Sequence, residues 1–112
     1  MAKHHQTAHG EHTEGQGATG LLFGVSRFAP GGRHDLHRHR HAAETMYVIE
    51  GDGCLRFGEG GWTEPLERGA TALFEAGEWH GLINTGAETA TVAFAYLGAA
   101  STEEDGYELF AG

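Results

Sequence analysis

Residues Gly31–Gly51, GGRHDLHRHRHAAETMYVIEG, run a string of imidazoles into an apolar alternation that is closed by glycine. Side chains alternate faces along an extended strand. His37 and His39 therefore point the same way and can hold one ion through two imidazole nitrogens, while Arg38 and Arg40 point the other way. Glu44 follows His39 by five residues, an odd step that places it on the opposite face of a regular strand. A bulge or bend around His41 to Ala43 is required if His37, His39 and Glu44 are to converge. His41 falls inside that irregular stretch, where parity does not give its direction.

Outward from this stretch the chain keeps one texture. LLFGVSRFA stops at Pro30-Gly31-Gly32, TMYVIE at GDG, CLRF at GEGG, ATALF at EAGE and TATVAFAYL at Gly98. Strand formers bounded every six to ten residues by Gly, Pro or Asn leave no space for a helical apolar stripe. The pattern predicts an all-β fold of short strands and tight turns. Residues 1–20 contain no Leu, Ile, Val, Phe, Tyr or Trp, and scatter His4, His5, His9 and His12 among Gly, Thr and Glu. Such a segment cannot bury a core of its own and reads as a flexible His-rich arm. The β domain then occupies 21–98. Residues 99–112 form an acidic tail, within which Tyr107, Leu109 and Phe110 are placed to pack over an edge of the sheet.

Composition narrows the class. The 112 residues suit one domain, and 39% apolar content with 19 glycines suits a turn-rich globule rather than a helical bundle. A net charge of −9 repels phosphate backbones and anionic lipid, so neither nucleic acid nor a membrane surface is an expected partner. No apolar run approaches the ~20 residues of a membrane-spanning helix, and the single cysteine, Cys54, allows no internal disulfide. A cytoplasmic protein is expected from these features, with Cys54 as a small core residue.

A fourth metal-capable donor lies in GATALFEAGEWHGLIN, Gly69–Asn84, where a turn at Gly77 leads into His80 on a strand that also carries Asn84 on the same face. Three imidazoles and one carboxylate suit a divalent transition metal ion: Fe, Mn, Ni, Co, Cu or Zn. The spacing now resembles a known family. Gly31, five residues, His37-x-His39, four residues, Glu44, six residues and Gly51 match the first motif of the cupin superfamily. Gly69, then Gly77, two residues, His80, three residues and Asn84 match the second, after an interval of 17 residues. One position departs: Glu75 stands where the motif has proline, and the loss of that rigid residue is expected to loosen the approach to the His80 strand.

The resemblance implies a single antiparallel jelly-roll β-barrel with a metal held inside by His37, His39, Glu44 and His80. It implies a metal-dependent enzyme acting on a small organic molecule, with dioxygenase-type oxidoreductase chemistry placed first. A redox-neutral isomerase, decarboxylase or lyase, and a non-catalytic binding module, are the alternatives. His41 is the expected helper or general base. Strand parity places Met46, Val48, Leu82 and Asn84 along the cavity, and Trp62, Phe74, Trp79 and Tyr96 are available to close its mouth or fill the core. Arg27 is expected to face water. A homodimer is expected through free edges of LLFGVSRFA or TATVAFAYL, an arrangement the resemblance also favours.

Overall fold

In the LLFGVSRF segment, Leu22, Ser26 and Phe28 are buried while Leu21, Phe23 and Arg27 are exposed, the period of two that a sheet with one covered face imposes. The computed structural model describes residues 3–7, 10–14, 20–99 and 105–111, and among them every regular element is a strand. In chain order these are β1 (Lys3–Thr7), β2 (Gly10–Glu14), β3 (Leu21–Phe28), β4 (Arg33–His39), β5 (Ala43–Glu50) and β6 (Cys54–Gly58). They continue as β7 (Thr63–Leu66), β8 (Thr71–Phe74), β9 (His80–Asn84), β10 (Ala90–Leu97) and β11 (Tyr107–Leu109).

Two antiparallel sheets result, ordered β1-β2-β3-β10-β5-β8 and β11-β4-β9-β6-β7. Their facing surfaces share one core that includes Leu22, Phe28, Val48, Phe74, Val92 and Phe94. This is a jelly-roll β-sandwich. Cys54 is buried within it as a free thiol whose pKa is raised by burial and by Asp52. The outer clusters of Trp62 and Trp79 lie elsewhere: Arg56 covers the Trp62 ring, and Arg38 and Phe110 flank Trp79.

Several expectations change here. The His-rich segment is not simply an arm, because β1 and β2 pair with each other and β2 pairs with β3, continuing the sheet. Backbone pairing onto an existing strand needs no apolar side chain, which is why composition alone did not show it. The side chains of His4, His5, His9 and His12 lie outside what the structure describes. β3 and β10, expected as free edges for a second copy, are interior strands: β3 lies between β2 and β10, and β10 between β3 and β5. The acidic tail contributes β11, which pairs with β4 in the register Tyr107↔His39, Glu108↔Arg38 and Leu109↔His37.

Of the two irregularities expected around His41 to Ala43, it is the bend and not the bulge that brings Glu44 inward. β4 and β5 belong to opposite sheets, and the turn at Arg40 and His41 carries the chain across from one to the other. Side chains facing inward from opposite sheets meet, so the odd step from His39 to Glu44 needs no bulge. The bulge sits earlier. His34 pairs with Leu82 and His37 with His80, so one extra residue of β4 lies between those pairs.

Candidate metal centre

His37 and His39 come from β4, His80 from the neighbouring β9, and Glu44 from β5 in the facing sheet, so the four meet between the layers. All four are buried, and one ligand-capable atom from each lies within 4.8 Å of the others. The turn before β9 sets His80 in place. Gly77 has a φ of 84°, a conformation that glycine adopts without a Cβ clash, and its N–H donates to the His39 carbonyl at 2.8 Å. This ties the second motif to the first. Nor does Glu75 leave the turn loose: its N–H, which proline would lack, donates to Glu78 Oε1 at 3.0 Å, and Glu78 N–H donates to the Glu75 carbonyl at 3.0 Å.

The back of each imidazole is held. His37 Nδ1 lies 2.6 Å from the Asp35 carbonyl and His80 Nδ1 lies 2.9 Å from the Glu78 carbonyl. A carbonyl oxygen only accepts, so in both rings Nδ1 carries the proton and Nε2 is left to face the centre. His39 Nδ1 lies 2.8 Å from Asp105 Oδ2, a carboxylate with no solvent exposure. At the front, His80 Nε2 and His39 Nε2 lie 3.0 and 3.1 Å from the same oxygen, Glu44 Oε1. Phe74 stacks on His80 with ring centroids 4.1 Å apart, which fixes the plane of that ring.

The electrostatics divide the histidines. Burial, assisted by electrostatic interaction with the neighbouring His80, lowers the His37 pKa to about 3, so its ring is neutral and ready to ligate. Burial acts in the same direction on His39, but the carboxylates of Asp105 and Glu44, both at ion-pair distance, outweigh it and raise that pKa to about 9. For Glu44, burial alone would raise the pKa; His39 and His80 reverse this and hold the carboxyl well below its ordinary value.

A divalent metal fits these residues. His39 Nε2 is a buried polar atom without an aligned hydrogen bond, despite its proximity to Glu44. Such an orphan is costly unless something else satisfies it. The three-nitrogen, one-carboxylate donor set matches the borderline preferences of late first-row ions.

The centre forms part of the wall of a cavity of about 400 Å³. Met46 and Leu82 line it as strand parity predicts, and Tyr96 lines it as one of the aromatics expected at its mouth or in the core; Val48 and Phe74 are core, and Asn84, Trp62 and Trp79 are not part of the lining. Asn84 is instead a structural pin: Nδ2 donates to the carbonyls of Phe28 at 3.0 Å and Glu88 at 2.8 Å, and Oδ1 accepts from Gly86 N–H at 2.9 Å. His41, the expected helper, is exposed on the turn and is not part of the cavity lining, its ring lying beside Gly106.

Ser26, Phe28, Val92 and Phe94 of β3 and β10 also line it, and neither they nor three residues from less regular places were assigned to the cavity by sequence reasoning. His34 is brought to the cavity side by the β4 bulge, and Asp105 and Tyr107 arrive from the C-terminal segment. No local pattern announces them; the turn-like sequence of that segment, EDG ahead of Tyr107, is the nearest signal.

Fold and centre together define a double-layered β protein with a three-histidine, one-glutamate site capable of holding metal. Comparison of sequences makes the class specific: the Cupin domain family matches residues 24–96, and the chain belongs to that family. An oxalate-binding protein of Thermotoga maritima is 32% identical over 65 residues, which are 58% of this chain and 52% of that protein. The chain spans about half the length of the curated relatives it matches.

Among solved structures, an uncharacterized conserved protein with a double-stranded β-helix domain from Klebsiella pneumoniae superposes with a TM-score of 0.78 at 21% identity. That match covers 95% of this chain and 88% of that one. An oxalate oxidase in complex with the substrate analogue glycolate superposes with a TM-score of 0.69 at 23% identity, covering 80% of this chain and 46% of that one. At these identities the structural likeness concerns the fold.

Proposed function

We propose that this cupin is a metal-dependent enzyme acting on a small organic molecule, with dioxygenase-type oxidoreductase chemistry. The observation that carries the reading is the buried His37, His39, Glu44 and His80 cluster opening onto a cavity. A divalent ion bound there would supply Lewis-acid polarisation of a substrate oxygen and, for a redox-active metal, a place for dioxygen. The chain's own residues do the rest. The three imidazoles are pre-aimed by acceptors at Nδ1. Phe28, Met46, Leu82, Val92 and Phe94 exclude water and receive an apolar substrate body. Ser26, His34 and Tyr107 offer the polar contacts that orient it.

Among the described residues no lysine or arginine lines the cavity, which weighs against phosphorylated substrates and dianions and for a neutral or singly charged one. The redox-neutral alternative, a decarboxylase, isomerase or lyase, uses the same ligands, and the similarity to an oxalate-binding protein keeps a small carboxylate in view. His41 has no contact with the cavity and acts, if it acts in turnover, from outside. Oxygen uptake by the iron-loaded protein across a panel of catechols, enolisable dicarbonyls and small carboxylates tests the proposal. Substrate-dependent uptake that is lost in His80→Ala supports it, and product formation without uptake moves the assignment to the redox-neutral class.

A homodimer remains part of the proposal on a different footing from strand edges. Leu21, Phe23, Tyr47, Ile49, Leu73 and Leu97 are each about half exposed. Leu21 and Leu97 are strand ends and the other four lie inside their strands, and all six belong to β3, β5, β8 and β10, contiguous in one sheet. Side chains of that size, at ~150–250 Å² each for the aromatics, offer on the order of 500 Å² per protomer, near the ~1,000 Å² total of a specific interface. Light scattering at tens of micromolar decides between dimer and monomer.

A further inference from the structure

His37 and His80 each have Nδ1 held by the backbone carbonyl two residues earlier, Asp35 and Glu78. Those props are local and come with the strand. His39 has no such prop, because its Nδ1 meets the Asp105 carboxylate, from a distant part of the chain. We propose that Asp105 is the positioning residue for His39, so that metal affinity depends on this one carboxylate, which the C-terminal segment 105–110 delivers to the back of the ring. The proposal rests on the reading of His39 as a metal ligand.

Three observations carry it. First, Asp105 is wholly buried, and neither of its side-chain oxygens has an aligned hydrogen bond among the described residues. A buried carboxylate without a partner is strongly disfavoured, and the group facing it at ion-pair distance is His39 Nδ1 at 2.8 Å.

Second, the segment is built to hold that carboxylate in place. The Asp105 and Gly106 carbonyls accept from His41 N–H at 2.8 Å and Arg40 N–H at 3.1 Å, and Phe110 N–H donates to the Leu36 carbonyl at 2.9 Å. Tyr107 and Leu109 pair with the two β4 ligands themselves, His39 and His37. On the outer side, Glu108 bridges Arg38 at 2.7 Å and Arg40 at 2.8 Å, and Trp79 packs between Arg38 and Phe110.

Third, the geometry has the chemical sense that metal centres use. A ligating imidazole whose second nitrogen faces a carboxylate is fixed in tautomer and made a better donor, and loss of such a partner weakens metal binding by roughly 10–100-fold. His41 takes a part in this arrangement as backbone only, through its N–H to Asp105.

The test uses the full-length chain and Zn(II) or Co(II) affinity measured by competition with a chromophoric chelator, together with the His39 ring nitrogen resonances of the zinc-loaded protein. Asp105→Ala is expected to bind about 10–100-fold more weakly and to lose the protonated Nδ1 signature of His39. Asp105→Asn, which keeps the shape and one acceptor oxygen, is expected to lose less affinity and to retain that signature. Glu108→Gln, which disturbs the outer clamp without touching His39, is expected to bind within about threefold of wild type, as exposed ion pairs contribute little.

The inference is overturned if folded Asp105→Ala binds metal as tightly as wild type with an unchanged His39 spectrum. It is overturned equally if Glu108→Gln weakens binding as much as Asp105→Ala, because docking of the segment and not the carboxylate would then be responsible. A wild-type protein that binds no metal would remove the metal-site reading itself, a result distinguishable from either of these.

Discussion

Asn84→Ala separates scaffold from site. Asn84 has no solvent exposure, and its amide closes three hydrogen bonds that tie the loop after β9 to the end of β3. Truncation strands the Phe28 carbonyl in a buried setting, where an unsatisfied acceptor costs ~1–3 kcal/mol. The Glu88 carbonyl and Gly86 N–H lie nearer the surface and can turn to water, so each loses only a net hydrogen bond of ~0.5–1.5 kcal/mol. The sum is about 2–6 kcal/mol, a large part of the ~5–15 kcal/mol that holds a domain together. At roughly 4 °C per kcal/mol for a chain of this size, the thermal midpoint should fall by about 8–24 °C. Calorimetry on wild type and variant measures the fall, and metal content per folded chain at low temperature should not change. A loss below about 1 kcal/mol would refute the pin role, and loss of metal from a still-folded variant would return Asn84 to the site.

Two further outcomes follow from the geometry. In the metal-free protein His37 has its pKa lowered from 6.5 to about 3, so the unfolded chain binds the extra proton and stability is lost as pH falls from 6.5. His39 is raised from 6.5 to about 9, so its contribution is fully present below 6.5 and is lost as pH rises towards 9. Urea midpoints should therefore peak near the ordinary imidazole pKa and fall on both sides, by at most about 1.4 kcal/mol per pH unit for each group; a monotonic profile would contradict the two assignments. In Gly81→Ala the new methyl would overlap the Phe57 ring and approach the His34 carbonyl to 2.9 Å. Overpacking of this kind costs ~1–3 kcal/mol, and because the strain falls beside His80, chelator competition should also show weaker metal binding.

The four candidate ligands were legible because each belongs to a motif whose residue types and intervals are fixed by chemistry: paired imidazoles on one strand face, a carboxylate after the corner, and a histidine beyond a glycine turn. Parity then placed Met46 and Leu82 correctly, since β5 and β9 run regularly through the core. It misplaced Asn84, which shares a strand with His80 but lies at the opposite end of β9 and turns to the loop backbone. His34 was invisible because a single extra residue in β4 reverses faces, and bulges leave no local signature. Asp105 was invisible for a different reason. Its meaning comes from pairing between β11 and β4, a long-range contact, whereas in the sequence it is one acid among several. The N-terminal strands were missed because polar edge pairing draws on backbone groups that every residue type supplies.

The most direct measurement is elemental analysis of metal per chain for wild type, His80→Ala and His41→Ala, all with His4, His5, His9 and His12 changed to glutamine so that the N-terminal histidines cannot contribute. The four-ligand account predicts one divalent ion per chain in the reference protein, loss of that ion in His80→Ala and full retention in His41→Ala. Retention in folded His80→Ala, or loss in His41→Ala equal to that in His80→Ala, would contradict it.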